Sequence, residues 1–322
     1  MDTRPEISSL LIQLMHRSFG SATHPTSWTA FPEGDFIQSY RVDLNRAPWK
    51  AAVKFYKPEP RLAGLTFEPE AQVLRYFKSL GTIPVPDVYY CHKADDEIPG
   101  SAIVLEWLEG RPIKELYDGL PPEPRKKLAA NFATILLSLH SHRNPRGFGP
   151  LDGPWEPDWL TVYRPRIERA YRRMDRSVEI PEMIQAADAS YHHLNDILGQ
   201  PCRQASLLHG DLFWTNILAD PASLQIVGLI DPIIDPFWLM PQWGDREYEL
   251  AGLLFMDHPI GIDIVEQYRG EYPLDDQFPL RRRFYNLWLV LDIWRTIGYH
   301  NKKTDKYLAC ALLDQMHKHN LL

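Results

Sequence analysis

The sequence predicts an α+β protein in two lobes, a small β-rich one of about 105 residues and a larger, mostly helical one. Three observations carry this. Two strand-like runs, SYRVDL and AAVKFYK, lie near the N-terminus with a turn, Asn45-Arg46-Ala47-Pro48, between them. A buried-strand pattern, SAIVLEWLEG, closes the β-rich part with a more polar, glycine-containing segment. After Gly110 the texture changes: PEPRKKLAANFATILLSLHSH places apolar residues at three- and four-residue spacing, and helical stretches dominate from there.

Taken in chain order, the β-rich part (1–105) contains the two strands and one helix, FEPEAQVLRYFKSLG, with Pro69 in its first turn and Gly81 as its stop. A linker at 106–110 joins it to the helical part, 111–322. That part is interrupted by a β pair around Asp211 to Asp231 and ends in the helical RRRFYNLWLVLDIWRTIGYHNKKTDKYLACALLDQMHKH.

Composition bounds the function. At 322 residues the chain is long for one hydrophobic core, and 44% apolar with 24% charged residues is ordinary for a soluble globular protein. The net charge of −7 argues against a nucleic-acid surface. The basic run from Arg164 to Arg176 reads as a solvated helix face. There is no run of 18 apolar residues to span a membrane and no signal-peptide pattern at the N-terminus. Cys91, Cys202 and Cys310 are odd in number and lack metal-ligand spacing, so reduced thiols in a cytoplasmic protein are expected.

Lys54 interrupts the apolar strand AAVKFYK, with Val53 and Phe55 on the opposite face. Alone, it reads as a solvated or edge residue. Glu70, however, lies four residues before Leu74 and seven before Phe77, so it extends the apolar stripe of its helix. A carboxylate on an inward face needs a partner, and Lys54 is the obvious candidate.

The richest stretch is SLLHGDLFWTNILADPASLQIVGLIDP, Ser206 to Pro232. Taken singly, Asp211 and Asp231 read as turn or capping residues. Their joint spacing, H-G-D-x4-N and then an apolar strand ending in D-P, points to chemistry instead. Asn216 and Asp231 offer hard oxygens suited to magnesium, and a tight turn between the two strands would bring them to one end. Asp211 would then face an attacking hydroxyl as proton acceptor or orienter.

The block HGDLFWTN…LIDP, with Lys54 and Glu70 upstream, resembles the aminoglycoside phosphotransferase and fructosamine kinase-like superfamily. The resemblance implies a two-lobed protein-kinase-like fold that phosphorylates small-molecule hydroxyls with ATP and Mg2+. Lys54, fixed by Glu70, would hold the α- and β-phosphates. EGDFIQSYRV is similar to the loop covering the phosphates, formed here by Gly34 and the backbone of Asp35, Phe36 and the residues to Gln38. IVLEWLEG looks like the hinge, with backbone near Glu106 and Leu108 on the adenine. GFGPLDGPWEPDWLTVYRPRI, GDREYELA and FYNLWLVLDIWRTIGY are similar to the fructosamine kinase branch, so the resemblance runs from about Phe31 to Tyr299.

Departures from that branch bear on the acceptor. Phe213 stands where a tryptophan usually follows HGDL, and Trp214 comes next. IIDPFWLMPQW is longer than the branch allows, and LDIWR replaces a histidine- and asparagine-bearing segment. His209 reads as an orienter of the loop. Glu249 reads as a structural acid behind the catalytic loop, with substrate contact as the other reading. Asp245 reads as an N-cap or as a site for a cationic group. Asp235 with Phe237, Trp238 and Trp243 forms an aromatic insert, either a lid or a hydrophobic plug. Trp155, Asp158 and Trp159 read as core and capping residues.

The expectation is therefore an ATP- and Mg2+-dependent small-molecule kinase, with a ketoamine acceptor favoured. An acidic acceptor pocket is expected from Asp235, Asp245 and Glu249, flanked by Trp243. An aminoglycoside-type phosphotransferase and a non-catalytic nucleotide-binding module are the alternatives. HGD in place of HRD, with no A-P-E after Asp231, argues against a protein kinase.

Overall fold

A computed structural model describes residues 5–32, 34, 36–199, 204–232 and 242–322. The chain divides into two compact units, one ending at Gly110 and also taking residues 227–232, the other holding the rest. The expected boundary at 105/106 thus shifts to the far end of the linker. Residues 227–232, expected in the helical part, belong to the first unit, where the Leu229 N–H donates to the Pro84 carbonyl at 2.8 Å.

In the first unit α1 (Pro5–Phe19) is followed by β1 (Pro25–Ala30), β2 (Ile37–Leu44), β3 (Lys50–Tyr56), α2 (Glu68–Leu80), β4 (Val88–His92) and β5 (Ala102–Glu106). The strands form one antiparallel sheet in the order β1-β2-β3-β5-β4. Alternation along each strand gives the sheet two chemically different faces. Tyr40, Val42, Ala51, Val53, Phe55 and Val104 pack with Leu11, Leu14 and Met15 of α1 into an apolar core. Lys54 stands opposite Ser39 and Ile103 in the ladder, and its side chain leaves from the other face. On α2, Ala71, Val73, Leu74 and Phe77 are buried together with Glu70. The helix stops at Gly81, whose φ of 71° lets its N–H cap the Lys78 carbonyl. This unit holds one helix more than expected, because α1 supplies the cover for the apolar face.

The second unit begins with β6 (Arg111–Pro112), α3 (Ile113–Tyr117), α4 (Pro122–Ser141) and β7 (Arg143–Asn144). It continues through α5 (Trp159–Arg173), α6 (Pro181–His192), α7 (Leu194–Leu198), β8 (Ala205–Leu207) and β9 (Ile217–Ala219). Strand β10 (Ile226–Leu229) leads into the segment taken by the first unit. Then come β11 (Trp243–Gly244), α8 (Arg246–Leu253), α9 (Pro259–Arg269), α10 (Phe278–Leu289) and α11 (Lys302–Lys318). Helix α4 packs on α9, and α10 packs on α8 and α11. Two small antiparallel pairings frame the loop that follows β8: β7-β8-β11, and β6 with β9.

The basic run from Arg164 to Arg176 is not uniformly a solvated face. Arg166 is 3% exposed, and its Nε lies 2.5 Å from Asp292, which Arg169 also meets at 2.8 Å. Helix α5 turns these two arginines inward and leaves Arg172 and Arg173 to solvent. Among the described residues no helix is long and apolar enough to cross a membrane.

Candidate active site

Two clusters of polar side chains stand out against their apolar surroundings, one in each unit. In the first, Lys54 Nζ lies 2.6 Å from Glu70 Oε1 and 2.5 Å from Asp231 Oδ1. Lys54 is 6% exposed and Glu70 5% exposed, whereas the Asp231 side chain is 41% exposed. Burial works to lower the Lys54 pKa, but the attraction of Asp231 and Glu70 outweighs it and holds the ammonium above its ordinary value. Burial raises the Glu70 carboxyl, with Asp231 adding repulsion and Lys54 pulling the other way. Asp231 adopts a left-handed backbone conformation (φ 58°), uncommon outside glycine, immediately before Pro232. Strain of this kind persists where the surrounding structure holds it, and here the β10 segment and Lys54 do so.

The other nucleotide-site candidates of this unit are spread along the sheet. The Gly34 N–H donates to the Ile37 carbonyl at 3.2 Å, and the Phe36 carbonyl accepts from the Lys57 N–H at 2.9 Å, so the β1–β2 loop is pinned at its base. Asp35 lies outside the described residues. Glu106 ends β5, donating its N–H to the Asp87 carbonyl and accepting the Asp87 N–H on its side chain. Leu108 packs over Gly228, where a Cβ would come within 2.1 Å of Leu108 Cδ1.

In the second unit the loop after β8 carries Asp211 and Asn216. Asn216 Nδ2 donates to the Asp211 backbone carbonyl at 3.0 Å and to its carboxylate Oδ2 at 3.1 Å. A neutral amide therefore orients the carboxylate, and the Asn216 amide oxygen accepts from the Thr215 hydroxyl at 3.4 Å. His209 is fully buried, and its Nδ1 accepts weakly from the Asp211 N–H at 3.4 Å. Trp214 is also buried and donates its indole N–H to the Leu253 carbonyl at 3.0 Å.

Glu249 and Asp245 behave differently from an acidic acceptor pocket. Glu249 Oε1 accepts the Gly210 N–H at 2.6 Å, and its Oε2 meets His140 Nε2 at 2.9 Å. His140 Nδ1 in turn meets the Tyr268 hydroxyl at 2.9 Å. Burial lowers the His140 pKa, so the ring is held neutral. Asp245 caps α8 by accepting the Glu247 N–H at 3.0 Å, and its other oxygen accepts from the Tyr285 hydroxyl at 2.8 Å. At 2% and 3% exposed and with both oxygens engaged, Glu249 and Asp245 serve the loop and the helix start rather than a ligand. Trp243 is part of β11, 7% exposed, and donates its indole N–H to the Leu151 carbonyl, so it is a core residue and not part of a lid. Asp235, Phe237 and Trp238 lie outside the described residues. As expected, Trp159 is core and Asp158 caps α5 by accepting from the Thr161 N–H at 2.8 Å.

Sequence reasoning missed His140, Tyr268 and Tyr285. Each sits on the apolar face of a helix, where a polar residue gives no sign of which distant partner it will meet.

The chain matches the phosphotransferase enzyme family across residues 28–284, most of its length, and it belongs to that family. It is 29% identical over 198 residues to the probable ketoamine kinase YniA of Escherichia coli (strain K12), covering 57% of this chain and 63% of that protein. With the probable ketoamine kinase of Vibrio cholerae serotype O1 it shares 24% identity over 303 residues, 90% of this chain and 93% of that one. Among solved structures it resembles a thermostable mutant of aminoglycoside phosphotransferase APH(4)-Ia in ternary complex with ADP and hygromycin B. The TM-score is 0.68 at 17% identity, over 95% of this chain and 98% of that one, so the two share the kinase-like α+β fold.

Proposed function

We propose that this chain is an ATP-dependent small-molecule kinase that transfers the γ-phosphate to a hydroxyl, with a ketoamine as the favoured acceptor. The observation that carries the reading is the buried Lys54 held by Glu70 and Asp231. A lysine kept charged inside a protein at the cost of two carboxylates has a use for that charge, and phosphate oxygens supply one. Gly34, Asp35 and Phe36 would close over the phosphates, and backbone near Glu106 and Leu108 would hold the adenine. Asn216 and Asp231 fit a magnesium ion chemically, since both offer hard oxygens and the Asp231 side chain is 41% exposed. Bound there, the ion would neutralise charge on the transferring phosphoryl group.

Asp211 would take or steer the proton of the acceptor hydroxyl as its oxygen bonds to the γ-phosphorus. The bond from that phosphorus to the bridging oxygen breaks, and ADP leaves with the electron pair. Little covalent help is needed from the protein, so orientation and electrostatics supply most of the rate. The ketoamine preference over an aminoglycoside rests on two supports. Two relatives are named as probable ketoamine kinases. Asp245 and Glu249, which would have made the pocket acidic enough for a polycationic drug, are already engaged inside the protein.

The test is ATP consumption with Mg2+ against fructosamines, aminoglycosides and sugar alcohols, with Asp211→Asn as control. Turnover on one class that falls by about 100-fold or more in the variant is the expected result. No turnover on any class, or an Asp211→Asn protein as active as the parent, would sink the reading.

A further inference from the structure

Asn286 is the residue whose placement the chemistry above leaves unexplained. It lies within α10, between Tyr285 and Leu287, where asparagine is a poor helix former. It is 1% exposed, and neither its Oδ1 nor its Nδ2 has a hydrogen-bond partner among the described residues. Buried amides are nearly always paired, so a side chain with both ends unmatched marks a place where a further group belongs.

The surroundings say which group. Tyr285, Asn286 and Leu289 present one face of α10 to a cavity of about 20 Å³ that Asp211, Tyr248 and Glu249 also line. A space of this size has room for one water, and a water is retained where it finds several polar partners. Glu249 already accepts from Gly210 and His140. On Asp211, Oδ2 accepts from Asn216 at 3.1 Å.

We propose that Asn286 is a positioning residue for Asp211, acting through a single water seated in this cavity. The water accepts from Asn286 Nδ2 and donates to the Asp211 carboxylate. Asn216 and the water then hold the carboxylate from two directions and fix its plane. The acceptor's O–H thus meets one defined lone pair rather than a rotating group. The water and Asn216 are both neutral donors, so neither of them cancels the charge the carboxylate needs to take a proton. The kinetic part of this inference rests on the kinase reading, but the water does not.

Two measurements on the full chain decide it. The first is a crystal structure near 1.8 Å without ligands. A single oxygen-sized peak within about 3.2 Å of both the Asn286 amide and the Asp211 carboxylate is expected. A dry cavity, or an Asn286 side chain paired with protein, overturns the proposal whether or not any acceptor is found. The second compares Asn286→Leu with Asn286→Ser on the acceptor identified above, each first checked for a cooperative melt. Leucine fills the cavity with apolar atoms and should lower kcat by about 10-fold or more, leaving KM for ATP within about 3-fold. Serine keeps a donor and makes room for water, so it should recover much of the loss. If Leu and Ser behave alike, or if KM for ATP rises as kcat falls, Asn286 is a packing residue and the proposal fails. Should the leucine variant not fold, a serine variant slowed 10-fold without its water in the crystal supports the proposal. One at parental rate without that water refutes it.

Discussion

Replacing Lys54 with methionine should destabilise the protein by about 3–5 kcal/mol near pH 7.5, and the loss should shrink on acidification. The magnitude follows from what is left behind. Methionine fills the volume of the lysine stem, so little packing is lost. Glu70, 5% exposed, would then face Asp231 with no cation between them. Asp231, with a side chain 41% exposed, can turn toward water, whereas Glu70 cannot. In the parent, burial raises the Glu70 carboxyl and Lys54 is the influence that lowers it, so the substitution pushes that pKa further up. A carboxyl whose folded pKa lies above its unfolded value binds protons more tightly in the native state. Stability is then gained below the folded pKa and lost as pH rises through it. Glu70→Gln is the partner experiment. It leaves Lys54 neutralised by Asp231 at 2.5 Å, so about 1–2 kcal/mol and little added pH dependence are expected. Urea denaturation followed by far-ultraviolet circular dichroism between about pH 5 and 8 measures both, provided the m-values agree. A methionine variant within about 1 kcal/mol of the parent at pH 7.5, or a deficit constant with pH, would refute the reasoning.

Other consequences follow from single contacts. His140→Phe should flatten the acid side of the stability profile. The buried ring has a lowered pKa, so the parent loses stability as pH falls below about 6.5, where the unfolded histidine takes a proton, and urea titrations at about pH 5 and 7.5 would show the difference. Gly228→Ala would press a methyl group into Leu108 Cδ1, a mobile side-chain end. Nucleotide affinity should weaken about 5-fold, with thermal stability nearly unchanged, as read by calorimetric titration and melting. ATP binding measured by calorimetry should weaken by at least about 10-fold when divalent cations are chelated, with no acceptor present.

The residues legible in the sequence are those whose chemistry clashes with their neighbours. Lys54 in a strand, Glu70 on an apolar stripe, and Asp211 with Asn216 after an apolar strand all announce themselves by being polar where burial is expected. The strands β2, β3 and β5 and the helices α2 and α4 were legible because alternation or helical spacing runs through each of them. What stayed hidden depends on long-range partners. The carboxylates of Asp245 and Glu249 look like ligand groups until Tyr285 and His140 arrive from 40 and 109 residues away. Arg166 and Arg169 sit among outward arginines of the same composition, and Asp292, 123 residues beyond Arg169, is a partner that picks them out. Helix α1 gave no sign of its role because its stripe of Leu11, Leu14 and Met15 is short and acquires meaning only against the sheet.

The two clusters hold their charge differently: one pairs a buried ammonium with two carboxylates, the other sets a carboxylate against a neutral amide. Lys54, Glu70 and Asp231 sum to one negative charge, so in this arrangement the lysine has nothing left over for an anionic ligand. Only one of its two carboxylates can leave. Glu70 is sealed at 5% exposure, while Asp231 is partly in solvent and held by a strained backbone. On the proposed reading, freeing Lys54 for phosphates would amount to giving Asp231 another cation, which a metal bound with the nucleotide would supply without exposing a bare charge. Asp211 follows the reverse rule. Its held oxygen faces an amide, and an arginine or lysine in that place would oppose the proton-accepting role proposed for it. On the proposed kinase reading, phosphoryl transfer to an alcohol would use both, a cation stored behind a carboxylate that can turn to solvent and a carboxylate oriented by a neutral amide.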